Sequence, residues 1–96
     1  MELFPPISEF FNAIEKDVRI NTTHISLYMT LLQQWSLNGG NCPFEIKRHE
    51  IMNTAKINSR YTYNQCMNHL HEFGYINYIP SANSSIRSKV FIVPLK

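Results

Sequence analysis

The sequence predicts one α+β domain that is mainly helical and has a small β-hairpin near its end. As far as Phe73, hydrophobic residues recur at intervals of three and four positions, which is typical of amphipathic helices. Residues 75–79 and 90–93 are instead rich in β-branched and aromatic side chains, and a proline follows each run. A length of 96 residues with 44% hydrophobic content is enough for one modest core, so we expect a single folding unit.

An extra helix is predicted at the N-terminus. It follows two prolines, which suit a first helical turn, and Ser8 is its candidate N-cap. Its apolar residues at helical spacing are Ile7, Phe10, Phe11 and Ile14. Residues 17–21 break this spacing, so we expect the helix to end before them.

The second helix is predicted to begin at Thr22 or Thr23, either of which is a suitable N-cap, and to end near Asn38. Two glycines follow and stop it. The apolar face predicted from the spacing consists of Ile25, Tyr28, Met29, Leu32 and Trp35.

A short strand and two further helices are predicted next. Residues 42–46 fit a brief edge strand, because Pro43 stands at its start. A third helix is expected over residues 47–55. A fourth is expected over residues 59–73, with Ser59 as its N-cap and Gly74 just beyond its end. The core stripe of this fourth helix consists of Tyr63, Cys66, Met67, Leu70 and Phe73.

This order of elements is typical of a helix-turn-helix unit followed by a hairpin wing. In such a unit the second helix of the pair lies in the major groove of DNA, and the wing contacts the flanking backbone or the minor groove. The predicted elements agree with one another in kind and order, which favours this arrangement over any reading of a single motif.

The motifs of the segment resemble those of a known family. Glu50-Ile51-Met52, then Ala55-Lys56-Ile57-Asn58-Ser59, then Met67-x-x-Leu70-x-x-x-Gly74-Tyr75-Ile76 are similar over residues 23–93 to the signature of bacterial winged-helix regulators. Small regulators carried on mobile elements are the nearest resemblance. It implies a winged helix-turn-helix fold with a three-helix core over residues 22–96 and an N-terminal arm over residues 1–21. One departure is Lys47, which stands where such proteins commonly cap the helix with Ser or Thr.

The resemblance implies that the polar face of the helix at 59–73 reads DNA bases. Amide side chains pair with adenine and Arg pairs with guanine, and the first half of this helix carries no acidic residue. The candidate base-reading residues are Arg60, Tyr61, Thr62, Asn64, Gln65 and Asn68. The alternative is a merely solvated polar face.

Basic and hydroxyl side chains around this helix are candidate phosphate contacts. Residues 1–17 hold four acidic residues against Lys16 alone, whereas residues 18–96 hold eight basic residues against three acidic ones. The candidates are Lys47, Arg48, Lys56 and Ser59 near the turn, and Arg87 and Lys89 in the wing at 81–89. The alternative for the wing is an ordinary hydrophilic loop.

The N-terminal helix presents more apolar surface than a three-helix core needs to cover. We therefore expect a homodimer, in which two recognition helices lie one DNA turn apart. The candidate dimer contacts are Phe4, Ile7, Phe10, Phe11 and Ile14. The alternative is that this helix packs on the second helix as an extra core layer.

Other function classes have little support in the sequence. The four histidines lack metal-ligand spacing, and the acidic residues are scattered rather than paired, so we expect no enzyme, cofactor, metal or small-molecule ligand. Without a leader or membrane span, and with two unpaired cysteines, the chain is expected to be cytoplasmic. We predict sequence-specific binding to double-stranded DNA and transcriptional regulation. The alternative is a winged-helix assembly or replication accessory factor that binds DNA only weakly.

Overall fold

The computed structural model describes residues 5–81 and 87–94. Helices and a small sheet alternate in the order α1 (Pro5–Ile14), α2 (Thr22–Leu37), β1 (Phe44–Ile46), α3 (Arg48–Ala55), α4 (Arg60–Glu72), β2 (Ile76–Ile79) and β3 (Ser88–Ile92). The predicted α+β class is therefore confirmed. Within these residues no helix is both long enough and apolar enough to cross a membrane.

The three strands form an antiparallel sheet in the order β1-β3-β2. β1 is an edge strand, as Pro43 predicts, and pairs Phe44 with Val90. β3 begins at Ser88 rather than at Val90, because Ser88 and Lys89 pair with residues of β1. The last two residues of the predicted wing therefore belong to a strand.

The hydrophobic core lies between the helices and one face of the sheet. Its fully buried side chains come from α1, α2, the sheet, α3 and α4: Phe10, Leu27, Tyr28, Leu31, Phe44, Ile51, Tyr63, Met67, Leu70, Ile76 and Val90. At about 25 cal/mol per Å² of buried apolar surface, side chains of this size are the main source of stability.

The N-terminal helix differs from its prediction. α1 already includes Pro5, so Ser8 lies inside the helix and is not its N-cap. Prolines fit the first turn because the missing N–H has no intrahelical partner there. The ring of Phe10 stacks on Tyr28 with 3.9 Å between ring centroids, which places α1 against α2.

The start of α2 also differs from its prediction. Asn21, not Thr22 or Thr23, is the N-cap, and its Oδ1 accepts hydrogen bonds from the backbone N–H groups of Thr23 and His24 at 3.0 and 3.1 Å. His24 Nδ1 in turn accepts the backbone N–H of Asn21 at 3.0 Å, which completes a reciprocal capping box.

The predicted boundaries of α4 are confirmed. The hydroxyl of Ser59 accepts the backbone N–H of Thr62 at 3.2 Å, and Gly74 follows the helix with φ at +87°. Of the predicted core stripe, Phe73 is only half-buried, and the others are buried. This leaves the opposite side of the helix to solvent.

Candidate nucleic-acid interface

The outer side of α4 holds the predicted base-reading residues. Arg60, Tyr61, Asn64, Gln65 and Asn68 are exposed, and Thr62 is half-buried. The ring of Tyr61 is 74% exposed, so it makes little contribution to the core of this chain. One helix face therefore presents a guanidinium, amides and a phenol to solvent.

The turn between α3 and α4 is short and tightly held. Lys56 adopts left-handed backbone angles, with φ at 63° and ψ at 38°, which is uncommon for a residue other than glycine. The next residue, Ile57, is buried, and its backbone N–H bonds to the carbonyl of Met52 at 2.9 Å. Because Ile57 is fixed in the core, the exposed Lys56 side chain projects from a defined position.

A polar groove lies beside this turn, where the N-termini of α2 and α4 both open. It has a volume of about 420 Å³. Its lining residues are Thr22, Thr23, Ser26, Ala55, Lys56, Ile57, Asn58, Ser59 and Thr62. The N-termini of two helices contribute partial positive charge, and the described lining includes a lysine and no acidic residue. The end of α3 also lines the groove, but the hydroxyl of Ser26 donates to the carbonyl of Ala55 there at 2.6 Å. The groove can therefore hold an anion such as a phosphate.

Sequence reasoning missed several members of this groove. Thr22 or Thr23 is the predicted N-cap of α2, but Asn21 caps the helix, and both threonines line the groove. Asn58 also lines the groove, although its position in the sequence predicts no role for it. A run of hydroxyl and amide residues before each of two helices is the signal that could have found them.

The predicted phosphate contacts around α3 and at the start of α4 differ in whether their side chains already have a partner. Lys47 precedes the helix without capping it through its side chain, and its Nζ lies 3.9 Å from a carboxylate oxygen of Glu50. Arg48 is exposed. The oxygen of Ser59 accepts the capping bond, so its hydroxyl proton remains to be donated.

The wing residues are only partly described. Arg87 is exposed, whereas residues 82–86 of the predicted wing lie outside the described part of the chain. The sequence predicts that Lys89 lies in the wing loop, but the structure places it within β3. Its cross-strand partner in β1 is Glu45. An acidic residue therefore stands opposite one of the predicted phosphate contacts.

Of the predicted dimer contacts, the structure contradicts Phe10. Phe10 is fully buried between Tyr28 and Tyr75 of the same chain, so its ring is not available to a second copy. Ile7 and Ile14 are half-buried and pack against the core. Phe11 is 43% exposed, and Phe4 lies outside the described residues.

Two of the four histidines meet across the fold. His24 on α2 and His69 on α4 are 45 residues apart in sequence, and their nitrogens Nε2 and Nδ1 are 3.0 Å apart. Burial, together with the neighbouring His69, lowers the pKa of His24 below its ordinary value of 6.5. In the described part of the chain, no group of three or more His, Cys, Asp or Glu residues is placed to hold a metal ion.

Comparison with known proteins finds no matching family model, no matching curated protein and no matching solved structure. Function must therefore be inferred from the residues and their geometry. The groups described on the outer side of α4, on the α3–α4 turn and in the polar groove are mostly amides and hydroxyls, which both donate and accept hydrogen bonds, together with the cations Arg60 and Lys56. Such groups recognise phosphates and the edges of bases.

Proposed function

We propose that the protein is a winged-helix DNA-binding protein that regulates transcription by inserting α4 into the major groove. One observation carries the proposal: α4 has a buried apolar side and, opposite it, a side of exposed guanidinium, amide and hydroxyl groups with no acidic residue in its first turn. A helix fits the major groove of B-DNA, and its amide and guanidinium groups match the donor and acceptor patterns of adenine and guanine.

The arrangement of the other elements supports the same proposal. α3 and α4 are joined by a tight turn, and β2 and β3 pair as an antiparallel hairpin after them. A hairpin in that position supplies a wing, on which the exposed Arg87 would contact the flanking backbone. The polar groove would take a backbone phosphate beside the N-terminus of α4, which fixes the depth at which the helix enters.

Binding to a random pool of duplexes tests the proposal. At near-physiological salt we expect one sequence to be enriched, and an inverted repeat with half-sites about 10 base pairs apart would indicate that two copies bind together. Arg60→Ala and Gln65→Ala should lower affinity by about 1–3 kcal/mol at particular base pairs and relax preference there. Lys56→Ala and Arg87→Ala should instead weaken binding to all sequences and reduce the salt slope by about 1 each.

The matched control is Lys16→Ala, since Lys16 is an exposed lysine outside the proposed interface. Its affinity and salt slope should equal those of the parent. If none of the four interface variants differs from this control, α4 does not enter the groove as proposed.

A second candidate function is docking on another protein. It is favoured by apolar side chains that stand in solvent, among them Ile79 at 51% exposure and Phe11 at 43%. In that case the duplex selection should give no enriched sequence, with binding lost steeply as salt rises. Substitution of Ile79 or Phe11 would then abolish association with the protein partner and leave DNA binding unchanged.

Lys56→Gly should raise stability while weakening DNA binding. Glycine removes the left-handed backbone penalty of about 1–2 kcal/mol and costs about 0.5–1 kcal/mol in chain entropy, so a net gain of about 0.5–1 kcal/mol is expected in urea unfolding. Loss of the ammonium group should weaken binding to all duplexes several-fold. Lys56→Asn is the matched control, because Asn also tolerates these backbone angles and lacks the charge. Unchanged affinity in both variants would remove Lys56 from the interface.

A further inference from the structure

Asn21, His24 and His69 form a directed chain of two hydrogen bonds. The backbone N–H of Asn21 donates to His24 Nδ1 at 3.0 Å, and His24 Nε2 lies 3.0 Å from His69 Nδ1. Because His24 accepts at Nδ1, its neutral ring carries its proton on Nε2 and donates that proton to His69. His69 accepts at Nδ1, so its own proton is on Nε2. The hydrogen bonds thus assign one tautomer to each ring.

His24 is buried and His69 is half-buried, and both lie beside groups from the α1–α2 connection and from α4. His24 is only 2% exposed, and His69 stacks on Phe73 with ring centroids 5.3 Å apart. The guanidinium of Arg19 lies 3.9 Å above the other ring in this stack, that of Phe73. Asp17 is the acidic group near His24, and its carboxylate already accepts bonds from Arg19 and from the hydroxyl of Tyr75.

We infer that His24 and His69 form a proton-controlled latch between the N-terminus of α2 and the last turn of α4. The latch is closed when both rings are neutral. A proton added at His24 Nδ1 removes the acceptor of the Asn21 N–H and breaks the capping box. A proton added at His69 Nδ1 places an N–H group opposite the N–H of His24 Nε2, so the hydrogen bond between the two rings is lost. Any added proton therefore costs at least one of the two hydrogen bonds.

The direction of the pH dependence follows from the burial of His24 and from the neighbouring His69, which both disfavour the charged ring, against the opposing effect of Asp17. The pKa of His24 in the folded chain lies below 6.5, so the unfolded chain binds its proton first as the pH falls. Stability from the latch is therefore fully present above about pH 6.5 and is lost as the pH falls through that value toward the folded pKa of His24.

The latch connects two elements that border the proposed DNA interface. His24 and Asn21 form the capping box on either side of Thr22 and Thr23 of the polar groove, and His69 lies one helical turn after Gln65. Opening the latch would loosen both elements, so we expect acid to weaken DNA binding. The latch itself does not depend on DNA binding; only this last consequence rests on the proposed function.

The first experiment is a titration of the full chain from pH 8 to pH 5, in which long-range ¹H–¹⁵N NMR of the imidazole rings is recorded at each pH. Above pH 7 both His24 and His69 should show the tautomer with the proton on Nε2, and His24 should titrate below pH 6.5. A proton on Nδ1 of His24 at pH 7.5 would overturn the latch.

The second experiment compares melting temperatures. From pH 7.5 to pH 5.0 the melting temperature of the parent should fall by about 5 °C more than that of His24→Asn, as expected for about 1 kcal/mol in a domain of this size. The Asn side chain at position 24 keeps an acceptor near the position of Nδ1 for the backbone N–H of Asn21 and takes up no proton. His49→Asn is the matched control, because His49 is an exposed histidine outside the latch, and it should behave as the parent. An equal fall in the parent and in His24→Asn would contradict the inference.

Duplex affinity measured at the two pH values separates the latch from the proposed function. If acid lowers the duplex affinity of the parent more than that of His24→Asn, the latch controls DNA binding. An equal fall in both proteins would contradict that control. Absence of DNA binding at both pH values would overturn the proposed function, while the NMR and melting results would still decide the latch.

Discussion

Phe10→Ala should lower the free energy of unfolding by about 3–5 kcal/mol, the range for removal of a fully buried aromatic ring. The ring stacks on Tyr28 and meets Tyr75 and Phe11 edge-on, at centroid distances of 5.4 and 5.8 Å, so alanine would leave a cavity and remove three aromatic contacts. Urea unfolding followed by circular dichroism measures this loss.

The neighbouring phenylalanine provides a matched control. Phe11 is on the same helix and is 43% exposed, so Phe11→Ala should cost no more than about 1 kcal/mol. If the two variants lost the same stability, α1 would not pack on α2 in solution, and Phe10 would again be a candidate for contact with a second copy. Sedimentation of both variants would then show whether that contact exists.

The helix that carries the candidate base-reading residues, α4, could be predicted from the sequence. The signals for α4 are local, because its cap, its apolar stripe and its terminal glycine all lie within the helix or beside it. Ser59 and Gly74 mark the two ends, and the structure places both where the sequence puts them. Since one side of α4 is buried, its spacing also indicates which residues face solvent.

The packing of α2 could not be predicted in the same way. Spacing identifies a single buried face only when a helix is covered on one side, and α2 contacts α3, α4 and β1, while Phe10 of α1 stacks on its Tyr28. Leu27 and Leu31 are fully buried outside the predicted face, whereas Ile25 and Met29 within it are only half-buried. Burial here depends on contacts between residues far apart in the chain.

Long-range contacts also explain the other misses. The His24–His69 pair joins residues that are 45 positions apart, and no local spacing indicates it. In the same way, Lys89 was placed in the wing because its pairing with Glu45 depends on how β1 joins the sheet. Sequence patterns predicted the kinds of elements, while the partners of particular side chains depended on how those elements meet.

Leu31→Ala provides a direct test of the face that α2 buries. Leu31 is fully buried, so its truncation should lower the free energy of unfolding by about 2–5 kcal/mol in urea. Leu37→Ala makes the same chemical change on the same helix at a side chain that is 73% exposed, and it should change stability by less than about 0.5 kcal/mol.

Equal losses in the two leucine variants would mean that α2 buries a different face from the one described here. Met29→Ala then decides between the two faces. In the structure Met29 is half-buried, so its truncation should cost less than that of Leu31, whereas the face predicted from spacing requires the reverse order. Because α4 packs on α2, the face that α2 buries also sets which side of α4 remains free to reach DNA.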